Sequence, residues 1–107
     1  MNDTKAASAF AALGHPARVA ILRLLVQAGA DGLSVSTMRE HLKMPATTFG
    51  HHLKAMVDAG LIKQSRQGRA LISEADYSAI QSLVAFLMED CCRGVLSSQT
   101  QAELEST

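Results

Sequence analysis

Glycines and prolines divide this chain of 107 residues into short segments, and that division limits what it can fold into. Gly14 and Pro16 separate a first segment from a second, which ends at Gly29. Pro45 lacks a backbone N–H and would clash with a preceding helical turn, so a further segment begins after it. Gly60 ends that segment. Segments of this kind predict one small domain, mainly α-helical with a small β-hairpin.

The first segments carry apolar residues at helical spacing and predict two helices, a short strand and a third helix. The first helix is expected to begin at Asp3 or Thr4, since either side chain can cap it. The second is expected to begin at Pro16, because proline suits the first turn of a helix. Residues 33–35 can form a very short strand, and Ser36 can cap the short third helix.

A fourth predicted helix, beginning at Thr47 or Thr48, has two faces of opposite character. With about 100° between successive residues, its apolar side chains fall on one side: Phe49, Leu53, Met56 and Val57. Its polar side chains fall on the other: Thr47, His51, Lys54 and Asp58, with Thr48 and Gly50 at the flanks. Such a helix, held from behind by its apolar face, can enter the major groove of DNA.

A β-hairpin is predicted directly after this helix. Leu61–Arg66 is expected to be one strand, Gln67-Gly68 a tight turn, and Arg69–Ser73 the returning strand. The hairpin would place Arg66 and Arg69 near a phosphate or the minor groove if the helix entered a major groove. Helices in this order followed by a hairpin predict a winged helix-turn-helix.

The last predicted helix is capped by Asp76 and runs to about Cys92. Its central part, residues 79–88, is apolar nearly all round. Because so small a domain has no core large enough to cover every side, one face is expected to pack against a second subunit. Residues 1–93 are therefore predicted to form the DNA-binding and dimerisation domain, and residues 94–107 a flexible tail.

Charge is unevenly distributed along the chain, although the net charge is zero. Residues 39–69 contain six Lys and Arg residues against two acidic residues, whereas residues 70–107 contain one Arg against six acidic residues. A basic block beside an acidic region is compatible with a polyanion partner at one surface. It is equally compatible with an ordinary solvated face.

Composition and spacing exclude several classes of protein. The longest apolar run, residues 83–88, has six residues and is too short to span a membrane, and no secretory signal is expected. The adjacent Cys91 and Cys92 cannot form a disulfide framework, so they are interpreted as thiols of a cytoplasmic protein. They also lack the Cys-x-x-Cys spacing of thiol oxidoreductases. The sequence shows no combination of nucleophile and base typical of an active site, so the chain is not expected to be an enzyme.

Three stretches together resemble the ArsR/SmtB family of arsenical- and metal-responsive repressors: residues 13–22 (LGHPARVAIL), 52–62 (HLKAMVDAGLI) and 66–69 (RQGR). The resemblance covers roughly residues 6–93. It implies a homodimer formed through the first and last helices, which binds an inverted-repeat operator in double-stranded DNA and leaves it when an inducer binds. One departure is Gly50, where the family usually has a serine; it removes a polar group and costs about 1 kcal/mol of helix propensity.

The two-faced helix and the hairpin give the candidate DNA-binding residues, and the resemblance supports the assignment. They are Thr47, Thr48, His51, Lys54, Arg66 and Arg69. His52 lies on the flank of the buried face and is expected to be a structural hydrogen-bonding residue instead. The four histidines have no spacing that predicts a zinc site.

The inducer site is predicted by comparing the places where the family holds its ligands. The Cys-Val-Cys of one such site corresponds here to Ser34-Val35-Ser36, and serine hydroxyls are not soft ligands. A second site, across the last helices, would need histidine, and residues 76–92 contain none. Cys91 and Cys92 remain, and some arsenic-responsive members have adjacent cysteines there. The predicted inducer is therefore trivalent arsenic, As(III), or an organoarsenical, and no cofactor is expected to be needed for folding.

Other interpretations of the cysteines stay open at this stage. The pair can pack as small apolar side chains, or it can sense oxidants or persulfides on the same scaffold. If it binds arsenic, two thiolates without a third suit methylarsenite, or arsenite that keeps a hydroxide, unless the second subunit supplies another thiol. A winged helix that mediates only protein contacts, without DNA binding, is the alternative of a different class.

Overall fold

In a computed structural model, residues 1–95 of the chain are described; the predicted tail from residue 96 onward lies outside them. The elements are α1 (Asp3–Leu13), α2 (Pro16–Ala28), β1 (Leu33–Ser34), α3 (Val35–Leu42), α4 (Ala46–Asp58), β2 (Ile62–Gln67), β3 (Ala70–Ala75) and α5 (Tyr77–Met88). A single 3-10 turn, Gly29–Asp31, joins α2 to β1. This order confirms the expected winged helix-turn-helix.

The three strands form one antiparallel sheet in the order β1-β3-β2. In the hairpin Gln67 pairs with Ala70, so its two-residue turn is Gly68-Arg69 and the predicted turn, Gln67-Gly68, is one residue early. The reason is the backbone of Gly68, which has a φ of +64° and can begin a turn that other residues would strain. Arg69 therefore lies at the tip of the hairpin rather than on the returning strand.

Two helix caps lie one or two residues before the positions that the sequence predicts. At α1 the side-chain oxygen of Asn2 accepts a hydrogen bond from the backbone N–H of Lys5 at 2.8 Å, in place of Asp3 or Thr4. At α3 the cap is Ser34 and not Ser36, since Ser34 Oγ accepts from the N–H of Thr37 at 3.2 Å. Val35 consequently belongs to α3 and not to the short strand.

The core lies where α2, α3 and α4 meet, and it continues onto the sheet. Its largest fully buried side chains come from those three helices: Ile21, Leu25, Met38, Phe49 and Met56. Ile62 and Ala75 extend this cluster onto β2 and β3. A smaller cluster joins α1 to α5 through Ala6, Ala9, Ala12, Leu61 and Leu83. The first cluster fixes α4 through its apolar face, which leaves the opposite face outward.

The last helix ends at Met88, so the prediction that it reaches Cys92 is wrong. Asp76 caps its start as expected, with its side-chain oxygen accepting from the N–H of Ala79 at 3.0 Å. After Met88 the backbone leaves the helical conformation, and Asp90 and Cys92 have φ values of +58° and +64°. Polar residues follow the apolar run here, so no packing holds another helical turn.

Across residues 1–95, no single helix is long and apolar enough to cross a membrane. Within these residues, α1 and the segment Pro16–Asp31 are together long and apolar enough, but the two are bent by 98° where they meet.

Candidate nucleic-acid interface

The helix-turn-helix consists of α3, a three-residue turn and α4. Lys43 ends α3 in a left-handed conformation, with a φ of 52°, and its backbone N–H donates to the carbonyl of Arg39. Pro45 follows in an extended conformation and precedes the first residue of α4, Ala46. The helix therefore begins one or two residues before the predicted start at Thr47 or Thr48, and both threonines lie in its first turn. No side chain caps it.

The outward face of α4 carries the side chains that the sequence predicts for it. Thr47, Thr48, His51 and Lys54 are all exposed. On the opposite face Phe49 and Met56 are almost completely buried, at 1% and 0% exposure. Lys54 Nζ lies 2.8 Å from Asp58 Oδ2, and both side chains are solvent-exposed, so this ion pair is weak. It can therefore exchange for a phosphate at little cost.

The wing is the hairpin of β2 and β3, which follows α4 directly. Arg66 lies on β2 opposite Leu71, and Arg69 is at the tip; both arginines are exposed. Lys63, nearer the base of the hairpin, lies 3.7 Å from Glu74 on the neighbouring strand. The wing thus presents cations along its length, while the only acidic side chain on its two strands lies near the base. Such a surface suits the phosphate backbone of DNA.

A hydrogen-bond network behind α4 fixes the orientation of the helix, and the sequence analysis does not predict it. Arg18 Nε donates to Nδ1 of His52 at 2.9 Å, and Arg18 Nη1 donates to the carbonyl of Ala12 at 3.3 Å. One guanidinium therefore joins α1, α2 and α4. The imidazole of His15, whose Nδ1 accepts from the N–H of Ala17, lies 4.6 Å from that of His52, centroid to centroid.

His52 has the structural hydrogen-bonding role that the sequence predicts for it. Burial lowers its pKa below the ordinary value, and the neighbouring His15, Arg18 and His51 lower it further. Because Nδ1 accepts the hydrogen bond from Arg18, the imidazole is held in its neutral form. No local sequence signal links the partners, since 34 residues separate them.

The two cysteines lie just beyond the end of α5. Both are exposed, and their sulfur atoms are 3.2 Å apart. The interaction with Cys92, together with partial desolvation, raises the pKa of the Cys91 thiol. The sequence predicts that both cysteines lie near the end of α5, but they lie outside it, because the helix ends at Met88. Within the described residues, no group of three or more His, Cys, Asp and Glu side chains is placed to hold a metal ion.

A helix-turn-helix with an outward polar face, followed by a cationic β-wing, defines the winged helix-turn-helix class of DNA-binding domains. Residues 13–65, a range that includes α3 and α4, match a helix-turn-helix domain family. The chain is 39% identical over 64 residues to an uncharacterized HTH-type transcriptional regulator of Methanocaldococcus jannaschii, covering 60% of this chain and 70% of that protein. The chain belongs to the helix-turn-helix transcriptional regulators.

Further similarities extend over most of the chain. The HTH-type transcriptional regulator YgaV of Escherichia coli is 28% identical over 88 residues, which cover 82% of this chain and 87% of YgaV. An ArsR-like transcriptional regulator from Rhodococcus matches the fold with a TM-score of 0.70 at 24% identity, covering 96% of this chain and 85% of that one. A homodimeric winged helix-turn-helix DNA-binding domain from Mycobacterium bovis, a possible ArsR-family regulator, matches with a TM-score of 0.64 at 24% identity, covering 84% and 89%.

Proposed function

We propose that this chain is a homodimeric repressor of the ArsR type, which binds an operator and leaves it when a trivalent arsenical binds Cys91 and Cys92. The observation that carries the inducer assignment is the pair of exposed thiols with sulfur atoms 3.2 Å apart. Trivalent arsenic is a soft, thiophilic centre, and two sulfurs so close can bind the same atom.

DNA binding is assigned to α4 and the wing. Thr47, His51 and Lys54 form the exposed face of α4, where side chains can reach base edges in the major groove. Arg66 and Arg69 lie on the wing, where they can neutralise phosphates on either side of the helix. This division matches the usual one, in which base contacts specify the sequence and phosphate contacts fix the position.

The homodimer is assigned to the free face of α5. Val84, Leu87 and Met88 lie at helical spacing on this face and are between 56% and 61% exposed. Phe10, on the neighbouring α1, is 40% exposed. Apolar side chains clustered in this way are typical of a protein interface, and a twofold axis beside them would place two copies of α4 for the two halves of an inverted repeat.

The arsenical acts through linkage between the thiol pair and the DNA surface. The pair lies three residues beyond α5, directly after the apolar face that we assign to the dimer. Each thiol that binds arsenic replaces one hydroxide of the arsenical, and its proton leaves with that hydroxide as water. The two arsenic–sulfur bonds then fix the turn that holds both sulfurs. DNA is released if the arsenical binds the DNA-incompetent arrangement of the dimer more tightly than the competent one.

The test is fluorescence anisotropy of the reduced protein on duplex DNA from upstream of its own gene, titrated with arsenite, methylarsenite and zinc. Wild type is expected to release the DNA with an arsenical and not with zinc. Cys91→Ser and Cys92→Ser should bind DNA as wild type does and keep it in the presence of either arsenical. A preference for methylarsenite would support a site of two thiolates, whereas a preference for inorganic arsenite would contradict it. Release from both serine variants would remove the thiol pair as the sensor.

A second candidate signal uses the same two sulfurs. Their separation of 3.2 Å also allows oxidation, in which the two thiols form a disulfide and lose two protons and two electrons to a persulfide, which is reduced to a thiol and hydrogen sulfide. A persulfide donor in the same titration distinguishes the candidates, since release by that donor and by neither arsenical would favour the redox sensor. If the protein shows no salt-dependent affinity for DNA, it would instead be a winged helix that mediates only protein contacts.

A further inference from the structure

We propose that Gly50 is a specificity-determining position, at which the backbone of α4 comes directly against the DNA duplex. The proposal rests on the DNA binding proposed above and concerns how deeply α4 enters the groove. The missing side chain is then a feature of the interface and not a lost contact.

Nothing inside the protomer requires a glycine at this position. Gly50 lies in the interior of α4 with an ordinary helical backbone, and a Cβ built on it would meet no atom within 4 Å. At Gly32, by contrast, an added Cβ would clash with the backbone of Ser73. A helical glycine lowers the folding equilibrium constant by about two- to fivefold relative to alanine. Gly50 therefore weakens α4 without any gain in the packing of the domain.

The position of Gly50 on α4 suits a close approach of the helix to DNA. It lies three residues after Thr47 and four before Lys54, so it is exposed at the flank of the face that they form on α4. A major groove is about 12 Å wide, and a helix with its side chains is about 10–12 Å across. At so close a fit, one missing side chain decides how near the helix axis can come to the duplex.

A closer approach matters more for base readout than for phosphate contacts. Thr47 has a short side chain and reaches a base edge only if the backbone is near the groove floor. Arg66 and Arg69 have long side chains on the wing and act through charge, which falls off slowly with distance. A side chain at position 50 would therefore weaken sequence-specific binding and leave non-specific binding nearly unchanged.

The experiment compares Gly50→Ala and Gly50→Leu with wild type. Both residues favour helix and neither can form hydrogen bonds with bases, so both variants should unfold at a temperature about 4 °C higher. Anisotropy is measured on the duplex from upstream of the gene and on a random duplex of equal length. We expect Gly50→Ala to bind the upstream duplex about tenfold more weakly and Gly50→Leu more weakly still. Binding to the random duplex should stay within about twofold.

Gln27→Gly is the control for helix stability. Gln27 is exposed on α2 and is not one of the proposed DNA-binding residues, so this variant should unfold at a lower temperature and bind both duplexes as wild type does. Upstream affinity in Gly50→Ala and Gly50→Leu that equals or exceeds the wild-type value would overturn the proposal. If wild type binds the upstream duplex no more tightly than the random duplex, at both low and high salt, the proposed function itself is overturned, and the role of Gly50 with it.

Discussion

At the scale of single residues, the side chain of Arg18 links three helices. Its guanidinium donates to His52 on α4 and to the carbonyl of Ala12 on α1. The role of His52 was predictable from its place on the flank of α4, because helix geometry is local. The role of Arg18 was not, since its partner is 34 residues away and only the packed fold brings the two together.

The neutral state of His52 predicts that the free energy of unfolding falls in mild acid. Its pKa is lowered in the folded protein, mainly by burial, so the unfolded chain takes up the proton first as the pH falls. The contribution is complete above the ordinary pKa of 6.5 and is lost as the pH drops from there toward the lowered value. Urea unfolding at several pH values between about 7.5 and 5 measures it.

The matched variant for this prediction is His52→Gln. Glutamine does not titrate, and its side-chain oxygen can still accept from Arg18. His15 and His51, the other histidines near this ring, remain in both proteins. The unfolding free energy of the variant should therefore depend less steeply on pH than that of wild type. Equal slopes for the two proteins would mean that His52 is not the group responsible.

At the scale of elements, the sequence predicts which face of a helix is buried, but it misplaces the residues at which some elements end. The two faces of α4 follow from the helical period, and the structure buries Phe49 and exposes His51 as expected. The turn of the hairpin is displaced by one residue because Gly68 adopts the left-handed conformation at its first position. The sequence predicts that α5 reaches about Cys92, but the helix ends at Met88, where the apolar run gives way to Glu89 and Asp90.

The junction between α2 and the sheet predicts a large effect for Gly32→Ala. Gly32 has a φ of 64° and a ψ of −168°, in a region that only glycine adopts without strain. An added Cβ would also press into the carbonyl of Ser73 on β3, where β1 pairs with β3. We expect the two effects together to lower the free energy of unfolding by about 3–5 kcal/mol.

Gly29→Ala separates backbone strain from this steric clash. Gly29 lies at the other end of the same 3-10 turn, with a φ of 81° and a ψ of −160°, but a Cβ there would meet nothing within 4 Å. It should cost only the strain, about 1–3 kcal/mol. Urea unfolding of both variants gives the comparison. If the two lose equal stability, the close approach of Gly32 to β3 contributes nothing.

On the scale of the whole molecule, the chain has an interior that supports α4, whereas α5 leaves Val84, Leu87 and Met88 exposed. The larger cluster packs α2, α3 and α4 against the sheet, whereas the smaller one joins α1 to α5 through alanines and two leucines. Of the residues of α5, only Leu83 is buried. The sequence predicts this surplus of apolar surface from composition alone, because too little chain is present to cover it.

A dimer formed through α5 predicts that Leu87→Glu dissociates the protein and weakens operator binding. Leu87 is 61% exposed and lies between Val84 and Met88, so a carboxylate would be buried there twice about the twofold axis. We expect the dissociation constant of the dimer to rise at least about 100-fold, as measured by sedimentation velocity. Operator affinity should fall as well, because a monomer contacts one half-site and loses the gain from holding two. Val26→Glu is the matched control, since Val26 is 43% exposed on α2 and should leave the dimer intact. A Leu87→Glu protein that sediments as wild type does would place the subunit contact elsewhere on the surface.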